Sequence, residues 1–294
     1  MKYEIWHDEY KGDGSINEYW HAILFIPIVS RSLIIEKLKL IRDQHRIDYA
    51  NDVKFAGSLQ SSQRSRLIFN QLQLFIHSLI VKEAEAETRL HNQDGGKKYK
   101  KDFEHYATLQ GVWGCKFVLL KIPDNHSSMD NSPMSYAELV ETTFRMAFKG
   151  GLHFLFNTPI EIVGFYFDGH EHHKRPIDMD RIKKGEFKDY VSFSKDIFID
   201  DRQRVNRDDD SKMILSIVDN AIGGLAAKFN TIEDPYKALH PLEQIITRAK
   251  SGLINTNKNG RWFRSISLAQ MVVRNDGNLD FIDLFADPEY PRLF

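Results

Sequence analysis

The chain has 294 residues, 42% of them hydrophobic and 28% charged, so it can bury a sizeable core in one large domain or two modest ones. A formal net charge of −1 excludes a uniformly basic nucleic-acid binder, though not a local basic groove, and the single cysteine excludes disulfides and Cys-rich zinc sites and points to a reducing cytoplasm. The longest apolar run, Ala22 to Val29, falls well short of the roughly 20 residues a membrane helix needs, and no cleavable signal pattern opens the chain.

Lys2 to Asp8 alternates, with Tyr3, Ile5 and His7 on one side and Glu4, Trp6 and Asp8 on the other, which predicts a strand ending at Asp8. Gly12 to Asn17 is a loop by composition, and Tyr19 to Ile28 predicts a second strand, a long-looped hairpin partner whose pairing ends near Pro27. Leu33, Ile34, Leu38 and Ile41 predict a helix over Ser32 to His45, capped by Ser30 or Ser32. The short segment Asp52-Val53-Lys54-Phe55-Ala56-Gly57 follows. Ser61 or Ser62 then opens a long helix through Leu67, Leu74, Ile76 and Leu79; Lys82 to Arg89 either extends it or forms an edge strand. A break at Asn92 to Lys101, part of an insertion near residues 91–110, carries Gly95-Gly96 and Lys97, Lys98, Lys100 and Lys101. It reads as a solvated loop or, more sharply, as a phosphate-contacting patch.

Lys116 to Ile122 predicts a strand stopped by Pro123, and Asp124 to Pro133 a polar loop. Tyr136 to Phe148 predicts a helix closed by Gly150-Gly151. Glu161 to Phe167 is too continuously apolar for a strand with one wet face, so it predicts a central strand covered on both sides, ending in Asp168-Gly169. Asp-Gly is also a turn signal, so Asp168 is either a turn residue or a carboxylate leaving the scaffold to enter a site. Tyr190 to Ile199 predicts another strand and Arg202 to Asp210 a charged loop. Ser211 to Phe229 predicts a helix striped by Ile214, Val218, Ile222 and Leu225. Pro235 and Pro241 bound a loop. The stretch 231–294 reads as a mainly helical C-terminal extension, either a subdomain or a partner surface, with aromatic residues at Trp262-Phe263 and from Phe281 to Phe294.

Asp219 falls on or beside the buried face of the last helix, where an unpaired carboxylate is costly and calls for a cation, either a metal ion or a basic side chain such as Lys212. Gly223-Gly224, one turn on, weakens the helix and implies a close approach by another backbone. If the strands ending in Asp8 and Asp168 are neighbours, their carboxylates emerge at one edge of the sheet. The helix bearing Asp219 could cross that edge, and Asp52 could supply a fourth acid. Converging carboxylates repel unless a cation sits between them, and hard oxygen ligands suit Mg²⁺ or Mn²⁺. A pair of such ions about 3.5–4 Å apart would clamp the attacking water and the leaving oxygen of a phosphodiester.

The motifs Asp8-Glu9-Tyr10, Asp52-Val53-Lys54-Phe55, Phe167-Asp168 and Leu215-Ser216-Ile217-Val218-Asp219-Asn220-Ala221-Ile222-Gly223 occur in that order. In this the chain resembles the ribonuclease-H-like superfamily and, more closely, the bacterial domain-of-unknown-function family 3800. That family carries Asp-Glu-Ser, Glu-x-Lys, a strand-end Asp, and Leu-Gln-x-Ala-Asp-x-x-x-Gly on a helix. The resemblance covers residues 1–230. It departs at Tyr10 in place of Ser, at Asp52, one methylene shorter than Glu, and at Ser216 in place of Gln. It implies an α/β fold, a ribonuclease-H-like mixed sheet flanked by helices. It further implies a Mg²⁺- or Mn²⁺-dependent nuclease with Asp8, Asp52, Asp168 and Asp219 as metal-holding catalytic residues. The expected setting is phage defence or a mobile element, with DNA or RNA as substrate and a possible protein partner such as an ATPase.

Lys54 and Lys212 each lie near one of these acids, to pair with it or to hold a phosphate. In Gly169-His170-Glu171-His172-His173-Lys174, His170 could stand near the scissile phosphate as an acid or proton carrier, the loop could ligate a metal through its histidines, or it could be an ordinary surface loop. His7 reads as a packed strand histidine. No phosphate-binding Gly-x-x-x-x-Gly-Lys loop, nucleophile elbow or dinucleotide fingerprint is present. The alternative to a nuclease is a non-catalytic nucleic-acid- or protein-binding module on the same fold. In that case each acid should face a lysine or arginine.

Overall fold

The computed structural model describes residues 1–11, 18–55, 61–94, 114–123, 136–156, 158–168, 178–184, 187, 190–229, 236–243, 266–273 and 279–283. Two strands within the first 27 residues build the centre of an α/β fold. Strand β1 (Lys2–Lys11) pairs antiparallel with β2 (Glu18–Pro27), placing Ile5 opposite Phe25. Strand β3 (Lys116–Pro123) runs antiparallel to β2. On the other side of β1, β4 (Ile160–Phe167) runs parallel to it and β5 (Val191–Asp200) parallel to β4. With β6 (Ile266–Val273) and β7 (Leu279–Asp283) the mixed sheet has seven strands in the order β5-β4-β1-β2-β3-β6-β7.

Helices cover both faces. On one, Trp6, Trp20, Ala22 and Leu24 pack against α1 (Ile28–Gln44), α2 (Ser62–Asp94) and α5 (Asp209–Phe229) through Leu38, Leu67, Phe75, Ile214, Val218 and Ile222. On the other, Tyr3, Ile5, Ile23 and Phe25 meet α3 (Tyr136–Leu155) through Phe144, Phe148 and Leu152, beside the short α4 (Met179–Lys183). Strand β4 sends Phe165 to the second layer and Tyr166 to the first, where Tyr166 stacks on Trp6 at 3.9 Å between ring centroids. The continuous apolar run before Asp168 is therefore a strand buried on both sides.

Several boundaries differ from the sequence reading. Strand β1 continues three residues past Asp8, because the hairpin partner β2 stays in register with it out to Tyr19. Helix α1 begins directly after Pro27, and neither serine caps it: extended Pro27 is the capping residue and Ser30 lies buried within the first turn. Proline has no N–H to continue a ladder, so it ends β2 and frees the next residue to start a helix. Helix α3 passes through Gly150-Gly151 to Leu155. Gly151 lies so close to Val118 of β3 that a Cβ would overlap it, so this glycine serves helix-to-sheet approach and does not terminate the helix. Lys82 to Arg89 lies within α2.

Beyond residue 230, the described residues contribute mostly strands where a mainly helical extension was expected. β6 pairs with β3, which would otherwise be an open edge, and β7 pairs with β6. The basic cluster from Lys97 to Lys101, the rest of the insertion after Asp94, and the aromatic stretches 261–265 and 284–294 lie outside the described residues. Among the described residues no helix is long and apolar enough to cross a membrane.

His7 is packed as the sequence predicts, within a buried chain of polar groups. Its Nε2 lies 2.9 Å from Nδ1 of His21, whose Nε2 lies 2.7 Å from the Thr143 hydroxyl of α3. Thr143 donates its own hydrogen to the Val140 carbonyl at 3.2 Å. The hydroxyl therefore accepts from His21 Nε2–H, and His21 Nδ1 accepts from His7. Replacing Thr143 with valine keeps the shape but orphans a buried donor. A loss of about 1–3 kcal/mol is expected in denaturant unfolding.

Candidate functional site

The site forms where β4 leaves β1. The last β1–β4 partners are His7 and Phe167, and the Asp168 amide still donates to the His7 carbonyl at 3.1 Å. Past that point no described residue of β4 pairs with β1. Asp8 and Asp168 are adjacent there, at one edge of the sheet, and both are buried. Asp8 points to the Trp6 face, the one covered by α5.

Asp52 arrives by two devices. The first is Arg42, fully buried, whose Nη1 donates to the carbonyls of Asp48 (3.0 Å), Tyr49 (3.3 Å) and Asn51 (2.8 Å) and so winds the chain after α1 around a single guanidinium. The second is one stripe of α5 formed by Ser216, Asp219, Asn220 and Gly223, which are neighbours on a helix surface. The Ser216 hydroxyl and the Asn220 amide both donate to the Val53 carbonyl, at 2.9 and 2.8 Å. The Phe55 amide donates to Asp219 Oδ2 at 2.5 Å. The Phe55 ring occupies the space a Cβ would take at Gly223, while Leu239 and Leu242 do the same at Gly224. Side chains, not the backbone expected from the sequence, make these close approaches. The motif around Asp52 and the motif around Asp219 thus dock on each other.

At the centre stands Arg204, from the 3-10 turn Arg204–Asn206 between β5 and α5, with a side chain only 3% exposed. Its Nη2 lies 2.8 Å from Asp8 Oδ2 and 2.6 Å from Asp168 Oδ2, and its Nη1 lies 2.9 Å from Asp52 Oδ1. The loop that carries it is fastened at the ends of β4 and β5 by Arg207. Arg207 donates to the carbonyls of Phe167, Asp200 (3.2 Å) and Arg202 (2.7 Å) and pairs with Asp200 Oδ2 at 3.1 Å. Arg202 holds the same Asp200 carboxylate at 2.8 Å. Burial works to raise the Asp200 pKa, but these arginines hold it below the ordinary value. After the loop, Asp208 caps α5 by accepting from the Ser211 amide at 2.8 Å and hydroxyl at 2.9 Å.

Burial is also the largest influence on the cluster itself. It pushes the Asp8 carboxyl well above its ordinary range, against the pull of Arg204 and with the help of Asp168 and Asp219. It raises Asp219 from 3.8 to about 6, opposed by Arg204 and the Phe55 amide and reinforced by Asp52 and Asp168. Burial alone would lower Arg204, but the surrounding acids more than offset this and keep it charged. The acids outnumber the guanidinium, so the cluster retains an attraction for protons or further cations.

A raised carboxyl pKa favours the folded state below the unfolded value of 3.8, and that advantage is lost as pH rises through about 6. Asp219 keeps a partly exposed edge, which screens some of the effect. Without metal, Asp219→Asn is therefore expected to gain on the wild type by on the order of 2 kcal/mol between pH 4 and pH 7, read by denaturant unfolding at both pH values.

Asp8, Asp52, Asp168 and Asp219 come together as the sequence anticipated, three of them directly on one arginine. Lys54 lies beside Asp52 at 3.8 Å. Lys212 does not reach Asp219; it pairs with Asp209 at 3.7 Å, one turn along the start of α5. His170, His172 and His173 lie outside the described residues. Arg204, Arg207 and Arg42 escaped the sequence reading. The only signal for the first two was the density of charge between Arg202 and Asp210, which reads equally well as a solvated loop. Among the described residues, no three His, Cys, Asp or Glu side chains are spaced to hold a metal ion as they stand. The guanidinium stands among them. The chain matches no known protein family, no curated protein and no solved structure.

Proposed function

We propose that the chain is a divalent-cation-dependent nuclease with a ribonuclease-H-like core. The observation that carries this reading is the convergence of carboxylates from four distant segments at the edge where β4 parts from β1, in the chain order expected from the resemblance. An acidic cluster that only stabilised the fold would gain from balanced charge, whereas Asp8, Asp52, Asp168 and Asp219 exceed the positive charge of Arg204 and of Lys54 at their margin. Their oxygens are the hard donors that suit Mg²⁺ or Mn²⁺. Two of them, on Asp8 and Asp168, meet at a single nitrogen of Arg204. These four residues would hold the cation. Once bound, it supplies Lewis-acid charge and lowers the pKa of water.

The protein's own part is placement. Strand β1 fixes Asp8 and the end of β4 fixes Asp168, the stripe on α5 fixes Asp219 together with the Asp52 segment, and Lys54 extends toward solvent where a phosphate could meet it. A role in phage defence or a mobile element, and a partner such as an ATPase, accord with the resemblance.

The presence of Arg204 favours a second reading, a non-catalytic binding module whose acids serve as counter-ions. Labelled single- and double-stranded DNA, RNA and hybrids, incubated with Mn²⁺, Mg²⁺ or EDTA, separate the two. Cutting that requires Mn²⁺ or Mg²⁺ is expected, and the best-cut strand names the substrate. Cutting that persists in EDTA would sink the metal-dependent mechanism, and binding without cutting would favour the module.

A further inference from the structure

We propose that the outer edge of β5 is the docking site for a second copy of this chain, with the two β5 strands pairing antiparallel about a two-fold axis at Phe198. β5 ends the described sheet: β4 lies on one side of it and no described strand on the other. Such an edge offers N–H and C=O groups to another strand, and proteins commonly blunt it with charges, prolines or bulges. Here the blunting covers only the first part of β5. Phe193 faces Ile162 of β4 and Phe198 faces Gly164, so the residues between them bulge from the ladder, and regular pairing resumes from Phe198 to Asp200. That regular part carries large apolar side chains into solvent on both faces. Phe198 is 52% exposed, beside Tyr166 on the Trp6 face, and Ile199 is 40% exposed on the Phe165 face.

The chemistry of the strand selects the occupant and the register. Residues directly opposite in an antiparallel pair project to the same face, so two copies related by a two-fold axis must centre their pairing on a residue that faces itself. Centring on Lys195 or Asp196 sets like charges against each other. Centring on Ile197 sets Asp196 against Phe198, and centring on Ile199 sets Phe198 against Asp200. Centring on Phe198 sets the two Phe198 rings together on one face, Ile197 against Ile199 twice on the other, and Lys195 against Asp201 twice at the flanks. Lys195 and Asp201 are exposed, and neither has an ion pair within the described chain. Asp196 then faces Asp200, whose carboxylate Arg202 and Arg207 already hold, and the half-exposed Arg202 stands ready for a second acid. The pattern is therefore complementary to itself, as an isologous interface requires. Its axis stands perpendicular to the sheet, which leaves the Trp6 faces of both copies, and both acid clusters, on the same side.

The test is sedimentation velocity of the full chain from low to high micromolar concentration. The wild type is expected to pass from monomer to dimer over that range, and Phe198→Lys to stay monomeric. Lys195→Asp and Asp201→Lys each set like charges opposite at two places, so each is expected to weaken the dimer by about tenfold. Combining them restores opposite charges and is expected to return the dimer to the wild-type constant. Phe198→Cys is expected to cross-link two copies under mild oxidation, because directly opposed residues lie about 4.5–5.5 Å apart between Cα atoms, within disulfide range. Val205→Cys, exposed but past the end of the strand, is the control that should not. A wild type that stays monomeric throughout, or a dimer unmoved by Phe198→Lys and by both single reversals, would overturn the proposal. A double variant no stronger than the single reversals would overturn the pairing about Phe198. Should Phe198→Lys fail to fold, the charge reversals and their restoration decide, since both residues are exposed.

Discussion

On the proposed nuclease reading, Asp168→Asn is expected to lower metal-dependent cleavage by at least about a hundredfold while leaving the metal-free protein as stable as the wild type or more so. The activity estimate follows from metal-site chemistry: even the partners that orient ligands are worth about 10–100-fold, and a direct oxygen donor is worth no less. The stability estimate follows from charge counting. Arg204 touches Asp8 and Asp52 as well as Asp168, so neutralising one acid leaves the guanidinium paired and removes a repulsion among carboxylates. The amide keeps the volume of the acid, so no cavity opens. Cleavage assays alongside urea unfolding of both proteins check both parts. A variant that still cuts, or that loses several kcal/mol, would show that Asp168 serves the fold and not the reaction.

Arg207→Met is expected to cost about 3–5 kcal/mol in denaturant unfolding, the range for breaking a buried ion pair by removing one partner. The Arg207 side chain is fully buried and ties together the Phe167, Asp200 and Arg202 carbonyls and the Asp200 carboxylate. Burial disfavours its charge and lowers its pKa despite Asp200, so this interaction is retained for what it holds in place. Its loss frees the turn bearing Arg204, so the variant is also expected to lose the fixed position of that guanidinium. Arg202, more than half exposed, cannot substitute: it reaches the Asp200 carboxylate but not the end of β4. A change below about 0.5 kcal/mol, the scale of ordinary surface substitutions, would mean that the loop is anchored some other way.

By itself the sequence determined the local periodicities and the identity of the acids. Alternation from Tyr3 to Asp8, the continuous run before Asp168 and the stripe from Ile214 to Leu225 follow from side-chain direction in strands and helices, a property of neighbouring residues. So the α/β class, the burial of β4 on both sides and the four candidate carboxylates were legible, with boundaries off by a few residues where pairing or packing overrode local signals. Gly150-Gly151 shows why: their composition says terminator, but the approach of Val118 from β3 decides that α3 runs on.

The tertiary structure alone decided what surrounds the acids. Arg204 lies 196 residues from Asp8 and 152 from Asp52 along the chain, and no local pattern distinguishes an arginine that folds into a carboxylate cluster from one that is solvated. The same holds for Arg207, buried because carbonyls from separate segments turn toward it, and for β6, which became a strand because β3 had an edge to pair. Local geometry is encoded residue by residue. Charge compensation depends on which distant segments meet, and that is settled only when the whole sheet has formed.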